Sequence, residues 1–180
     1  GEIYNFKELA KKFKIKQKTE SDTEIIVELY SKYGPKIVKW LNGMFAFAIY
    51  DSLKEEVFVA RDRLGVKPLY MNQSNGELSL ASEMSSILEL TGVTKFDSIG
   101  LRQYIKLRTF FNGRTAYEGI EMFPAGCYML SGKIYKYWEF PSEHQDAPSD
   151  DELLHLITES VEQRLVSDVS IGSFLSGGLD

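Results

Sequence analysis

The sequence has one cysteine, Cys127, and two histidines, His144 and His155, in 180 residues. A single thiol excludes a disulfide framework and a cysteine-based zinc site, and two poorly spaced histidines do not make a metal cluster. Cys127 lies in a strand-like stretch with no basic neighbour in sequence to favour a thiolate, so it reads as a small buried hydrophobe. His144 falls in a polar linker and His155 on a polar helix position, and neither reads as a general base. No apolar run reaches the length of a membrane span, and Gly1-Glu2-Ile3-Tyr4-Asn5 has neither a basic nor an apolar leader pattern. Dense Lys/Arg blocks are also missing: 21 basic residues stand against 26 acidic ones, for a net charge of -5. That balance argues against nucleic acid as a main partner and leaves the Lys7 to Lys18 stretch as the solvated face of a helix and its following loop. A soluble, cytoplasmic protein is the expectation.

What is present is globular in character. Hydrophobic residues make up 43%, aromatics 13% and charged residues 26%, which excludes disordered, collagen-like and coiled-coil classes. The length suits one domain or one and a piece. No initiating Met opens the chain, and Ser176-Gly177-Gly178-Leu179-Asp180 is a glycine loop with which it closes, so a fragment of a longer protein is expected.

Three S/N-x-x-E patterns mark helix starts: Asn5 with Glu8, Ser21 with Glu24, and Ser149 with Glu152. Leu9 and Phe13 share a face of the first helix. Ile25, Ile26, Leu29, Tyr30 and Tyr33 recur at helical spacing until Gly34-Pro35 ends the second, and Leu153, Ile157, Val161 and Leu165 form the third. Met44 to Tyr50 is almost continuously apolar and predicts a strand covered on both faces, with Val57 to Ala60 as its hairpin partner. Leu69-Tyr70-Met71 and Leu78-Ser79-Leu80 flank the turn pair Asn75-Gly76. Short helices are expected after Ser82 and Asp97. Tyr128-Met129-Leu130 and Ile134 to Trp138 form another hairpin across Ser131-Gly132-Lys133. Such alternation predicts helices covering antiparallel sheets. The polar, proline-containing stretch from Pro141 to Asp151 reads as a linker, after which a helix, a short strand over Ile171 to Leu175 and the glycine loop open a parallel α/β unit.

Chemistry concentrates in three places. The Ser176-Gly177-Gly178 loop can turn successive N–H groups toward an anion, and Asp180 can hold magnesium beside a phosphate, although the Walker lysine and the dinucleotide glycine spacing are absent. As a bare motif, Ser-Gly-Gly is equally an ordinary loop. Arg61-Asp62-Arg63-Leu64-Gly65-Val66-Lys67-Pro68-Leu69-Tyr70 reads chiefly as a turn held by internal ion pairs. Asp22 stands in the first turn of a helix, where a carboxylate either caps or receives a cation such as an α-amine.

Taken in order, Gly1-Glu2-Ile3-Tyr4-Asn5, Ser21-Asp22-Thr23-Glu24, Asn42 to Asp51, Arg61 to Tyr70, Ala81-Ser82-Glu83-Met84, Phe123-Pro124-Ala125-Gly126 and Ser167-Asp168-Val169 through Asp180 resemble the glutamine-hydrolysing asparagine synthetases. The resemblance covers essentially the whole chain. It implies a class II glutamine amidotransferase domain over residues 1–140 without its N-terminal segment, a linker over 141–150, and the beginning of an ATP-binding synthetase domain over 151–180. The implied fold is α+β: an N-terminal-nucleophile four-layer αββα sandwich of antiparallel sheets, then the start of a parallel α/β domain.

The same resemblance implies site roles. Gly1 would give its backbone N–H to an oxyanion hole, and Gly1, Glu2 and Asp22 would bind glutamine, with the carboxylates on its α-ammonium group. The nucleophilic cysteine and an oxyanion-hole asparagine would precede Gly1. Leu175, Ser176, Gly177, Gly178 and Asp180 would take ATP and its magnesium. Ammonia from glutamine would then amidate aspartate through an acyl-adenylate. Expected partners are glutamine, ATP and aspartate or another carboxylate, with no nucleic acid and no membrane, and a homodimer is an assembly the resemblance allows. Two alternatives stand beside this reading: an amidotransferase acting on a sugar or other carboxylate, and a glutaminase-fold module without catalysis of its own.

Overall fold

The computed structural model describes every residue except 75, 143–146, 167–169 and 179–180. Two compact units span Gly1–Phe140 and Pro141–Asp180.

The first unit begins with a two-residue strand, β1 (Glu2–Ile3), and helix α1 (Phe6–Lys12), whose Phe6 and Leu9 are buried. Lys7, Lys11, Lys12, Lys14, Lys16 and Lys18 are exposed, as the solvated-face reading expects. The expected box between Asn5 and Glu8 does not form. Asn5 donates from Nδ2 to the Trp40 carbonyl (2.9 Å) and accepts at Oδ1 from the Asn42 N–H (2.9 Å), so its amide is committed to a segment distant in sequence. Helix α2 (Asp22–Tyr33) buries Ile25, Ile26, Leu29 and Tyr30, and Ser21 Oγ caps it by accepting from Thr23 N–H. Here too the box is open: Glu24 instead accepts from Lys18 N–H, Thr19 N–H and the Thr19 hydroxyl, fastening the preceding loop. At Gly34 the α-helix ends with φ of 63°, and a 3-10 turn over Gly34–Lys39 buries Ile37 and Val38.

Strand β2 (Gly43–Met44) pairs with β1, with Glu2 opposite Met44 and Ile3 opposite Gly43. β3 (Ala46–Asp51) and β4 (Glu56–Arg61) form the first hairpin. The four-stranded antiparallel sheet has the order β3-β4-β8-β9, where β8 is Cys127–Leu130 and β9 is Lys133–Lys136. β3 is thus an edge strand, and Ala48 and Tyr50 are exposed on one face while Ala46, Phe47 and Ile49 are partly covered. This corrects the expectation of a strand buried on both faces: an aromatic run at a sheet edge needs only one covered side. A three-stranded antiparallel sheet has the order β6-β5-β7, from β5 (Tyr70–Ser74), β6 (Glu77–Ala81) and β7 (Ile120–Met122). The β5–β6 turn residue Asn75 lies outside the described residues. The expected helices after Ser82 and Asp97 are α3 (Met84–Thr91) and α4 (Ser98–Leu107).

Alternation along β4 divides the core. Phe58 and Ala60 join the helical side, packing with Ile3, Ile25, Leu29, Ile37 and Phe45, while Val59 joins Leu69, Met71, Phe123, Cys127 and Met129 on the opposite side. Phe58 is fully buried and stacks on Tyr30 at 4.9 Å between ring centroids, with Tyr128 at 5.7 Å. Cys127 is buried, and burial raises its thiol pKa, in keeping with its reading as a hydrophobe.

In the second unit α5 (Asp150–Arg164) carries the complete Ser149–Glu152 capping box. No strand forms over Ile171 to Leu175, contrary to expectation. A strand requires ladder partners for its N–H and C=O groups, and the described residues of this unit contain no other strand; Leu175 is 92% exposed.

Removing the Phe58 ring would leave a cavity between the α2 side and the sheet. Phe58→Ala is expected to lower unfolding free energy by about 3–5 kcal/mol, measured by denaturant titration; a loss under about 1 kcal/mol would contradict this account of the core.

Candidate functional site

Glycine permits a close main-chain approach between the first residues and the 43–45 segment. A Cβ at Gly43 would collide with the Glu2 carbonyl and sit 2.9 Å from Ile3 Cα, and one at Gly1 would sit 2.8 Å from the Met44 carbonyl and 3.0 Å from Phe45 Cα. β1 and β2 therefore approach closely, with Glu2 exposed. Asp22, the first residue of α2, is half-buried and accepts the Ile3 N–H at Oδ2 (2.8 Å). Ser21 supplies the helix cap, and the Asp22 carboxylate reaches β1 through Oδ2 while Oδ1 accepts from the Thr23 hydroxyl (3.4 Å). The structure thus brings the Asp22 carboxylate to the main chain immediately after Glu2. It is here that Gly1, Glu2 and Asp22, expected to act together, come into one neighbourhood.

Behind this strand pair runs the Arg61–Lys67 loop. The expectation of internal ion pairs is corrected: its two innermost charges are held by main chain. Asp62 is 1% exposed, and Oδ1 accepts from Leu64 N–H (3.1 Å) and Val66 N–H (2.9 Å), while Oδ2 accepts from Lys67 N–H (3.0 Å) and Phe45 N–H (3.2 Å). Arg61, also buried, donates to the carbonyls of Lys67, Gly65 and Phe123. Burial lowers the Arg61 pKa, with Asp62 opposing the shift. A short loop closing on its own first residues leaves inward N–H and C=O groups without strand partners, and one side chain of each sign satisfies them. Sequence reasoning missed Asp62. Its detectable signal was an Asp followed by N–H groups two and four residues on, the arrangement of an Asx-type turn. A cavity of about 410 Å³ opens between this loop and Glu121–Ala125, lined by Arg61, Leu64, Gly65, Phe123 and Pro124. Gly1, Glu2 and Asp22 do not line it.

In the second unit Ser176, Gly177 and Gly178 are exposed, with φ of 76° at Gly177 and Gly178 N–H donating to Ser176 Oγ (3.3 Å). Asp180 lies outside the described residues. Among the described residues no group of three or more His, Cys, Asp or Glu side chains could hold a metal, and no helix is long and apolar enough to cross a membrane.

Comparison with known proteins bears on both units. A family model described as a glutamine amidotransferase domain matches residues 1–146, and one described as asparagine synthase matches residues 152–180. The chain is 36% identical to a putative asparagine synthetase (glutamine-hydrolyzing) 2 of Methanocaldococcus jannaschii, over 100% of this chain and 37% of that protein. It is 37% identical to asparagine synthetase B (glutamine-hydrolyzing) of Escherichia coli, over 100% of this chain and 30% of that protein. A mouse asparagine synthetase (glutamine-hydrolyzing) is 32% identical, with 33% of its length covered. The chain thus spans about a third of the length of the curated relatives it matches.

Tyr137 closes the back of the loop, donating its hydroxyl proton to the Arg61 carbonyl (2.8 Å). Burial raises its pKa above the ordinary tyrosine value of about 10. The unfolded chain therefore releases this proton first, so the contribution is intact below pH of about 10 and is lost as pH rises past it. Tyr137→Phe is expected to cost about 1 kcal/mol at neutral pH and to flatten the alkaline fall in stability, as thermal melts from pH 7 to 11 would show.

Proposed function

The chain belongs to the glutamine amidotransferase domain family, with an asparagine synthase segment behind it, and on that premise we propose that it is part of a glutamine-hydrolysing asparagine synthetase. The observation that carries the site assignment is the bond from Ile3 N–H to Asp22, which sets a helix-borne carboxylate beside Glu2. Two carboxylates at one strand end suit the α-ammonium group of glutamine, since charge-assisted hydrogen bonds are the strong ones. Gly1 contributes its backbone N–H to the oxyanion hole. A cysteine upstream of Gly1 attacks the side-chain amide carbon, its own α-amine takes the thiol proton and passes it to the leaving nitrogen, and water then releases glutamate from the thioester. An N–H aimed at the developing oxyanion stabilises that transition state by about 3–4 kcal/mol.

In the second unit Leu175, Ser176, Gly177 and Gly178 are assigned to ATP. Their chemistry fits phosphate oxygens: an exposed Ser176 hydroxyl, which itself accepts from Gly178 N–H, on a loop of exposed residues with a positive φ at Gly177 that glycine adopts without strain. Asp180 is assigned to magnesium. ATP as substrate accepts an aspartate carboxylate oxygen at its α-phosphorus with loss of pyrophosphate, and ammonia displaces AMP from the resulting acyl group.

The finer architecture belongs to the same proposal: an αββα sandwich over residues 1–140, a linker over 141–150, and the opening of a parallel α/β domain over 151–180, in a cytoplasmic enzyme. The apolar clusters on both faces of β4 support the sandwich. The packing of α3 against β5 and β6 supports it as well.

In the full-length protein, Asp22→Asn keeps an oxygen for Ile3 N–H but removes one charge from the ammonium site. The KM for glutamine is expected to rise at least tenfold, with ammonia-dependent asparagine formation within twofold of wild type. Equal loss of both activities would refute the assignment.

A further inference from the structure

We infer that Asp62 is a positioning residue for glutamine hydrolysis, acting through Phe45 on the main chain of Gly1. This rests on the glutamine pocket proposed above. Asp62 holds Phe45 by both of its main-chain polar groups: the Phe45 N–H donates to Asp62 Oδ2 (3.2 Å), and the Phe45 carbonyl accepts from Asp62 N–H (2.8 Å). Phe45 is itself 3% exposed, so neither group has water as an alternative. The Met44 carbonyl and Phe45 Cα are the atoms that leave no room for a Cβ at Gly1. The Met44–Phe45 main chain is therefore the wall against which Gly1 rests, and Asp62 fixes that wall.

The second carboxylate oxygen extends the grip. By accepting from Leu64 and Val66, Asp62 makes the place of Phe45 depend on the closed form of the 62–67 loop. The Asp62 carbonyl also accepts from Gly65 N–H (3.2 Å) and Gly126 N–H (2.9 Å), tying in the turn before β8. Asp62 has no role in holding the ammonium group, which falls to Glu2 and Asp22. A shift of the wall should therefore misplace the oxyanion donor while leaving substrate affinity largely unchanged. Misplacement by about 1 Å is enough to cost on the order of a hundredfold in rate.

The test uses the full-length enzyme and separates kcat from KM for glutamine hydrolysis. Asp62→Asn retains one acceptor oxygen but turns an NH2 group toward two N–H donors. Expected is a kcat loss of tenfold or more, with KM for glutamine within twofold and ammonia-dependent synthesis unchanged. Gly65→Ala disturbs the same loop from outside, because its Cβ would lie 3.0 Å from Arg61 Cζ and 3.1 Å from Ala125 Cβ at φ of 66°. It should give the same pattern with a kcat loss of threefold or more, and it decides the matter if Asp62→Asn does not fold. A folded variant with kcat within twofold of wild type, or a loss carried by KM, overturns the positioning role. Wild-type protein that hydrolyses no glutamine overturns the functional reading, and this inference with it.

Discussion

A carboxylate removed from water must have its lone pairs occupied, and Asp62 meets that requirement with four main-chain N–H groups and no cation. Three of the donors lie within five residues of it, and the fourth is Phe45, in the link between the two-residue strand β2 and the edge strand β3. A charge so placed does more than satisfy itself. It converts a loop that has no ladder into one with a fixed closure, and it ties that closure to the strand pair bearing Gly1 and Glu2. Arg61 performs the complementary task with the carbonyls of Gly65, Lys67 and Phe123, so adjacent residues of opposite sign satisfy opposite poles of the same loop. Direct pairing between them would have left those peptide groups unpaired, at a cost of about 1–3 kcal/mol for each buried one.

This arrangement depends on β4 being buried where it ends. Its first residues, Glu56 and Val57, retain exposure, while Phe58 through Arg61 do not. Phe58 and Ala60 face the helices and Val59 faces the second cluster, so the strand delivers Arg61 and Asp62 into an interior already closed on both sides. Low polarity there strengthens each charge-to-peptide bond and penalises any that is lost. The hydrophobic pattern and the polar loop are therefore consecutive parts of one construction.

Helical spacing located α2, and short apolar runs beside turn residues located the β3–β4, β5–β6 and β8–β9 hairpins, because each is a local signal; helices were also expected after Ser82 and Asp97, where α3 and α4 form. The side-chain partners were less legible. Of three S/N-x-x-E patterns only Ser149–Glu152 closes, with both side chains bonded within the box. Asn5 is taken by Trp40 and Asn42, and Glu24 by Lys18 and Thr19, which are tertiary or loop demands invisible to a four-residue pattern. β7 was missed because three residues carry too little alternation to register. The strand over Ile171 to Leu175 was read from composition, yet apolar and β-branched residues give only a propensity, and the ladder is made by a partner.

The candidate site shows the same division between what short patterns encode and what folding adds. Gly43 is required because a Cβ would strike the Glu2 carbonyl, a constraint imposed by a residue far from it in sequence. Gly177 has no atom within 4 Å of where its Cβ would be, and its glycine is required by a φ of 76° alone. The first kind of glycine reports a neighbour, and the second reports a local turn. Only the first could have told a reader of the sequence that β1 and β2 meet. The resemblance named the Gly1–Asn5 and Asn42–Asp51 stretches separately, and the fold pairs them through Glu2 opposite Met44 and Ile3 opposite Gly43. Asp22 completes the arrangement from a third segment, because at a helix start capped by Ser21 its Oδ2 can bind across to β1 while Oδ1 takes the Thr23 hydroxyl. The position of the acidic pair is therefore set by two contacts: the Gly43 approach that fixes the strand, and the Ile3 N–H that fixes the helix against it.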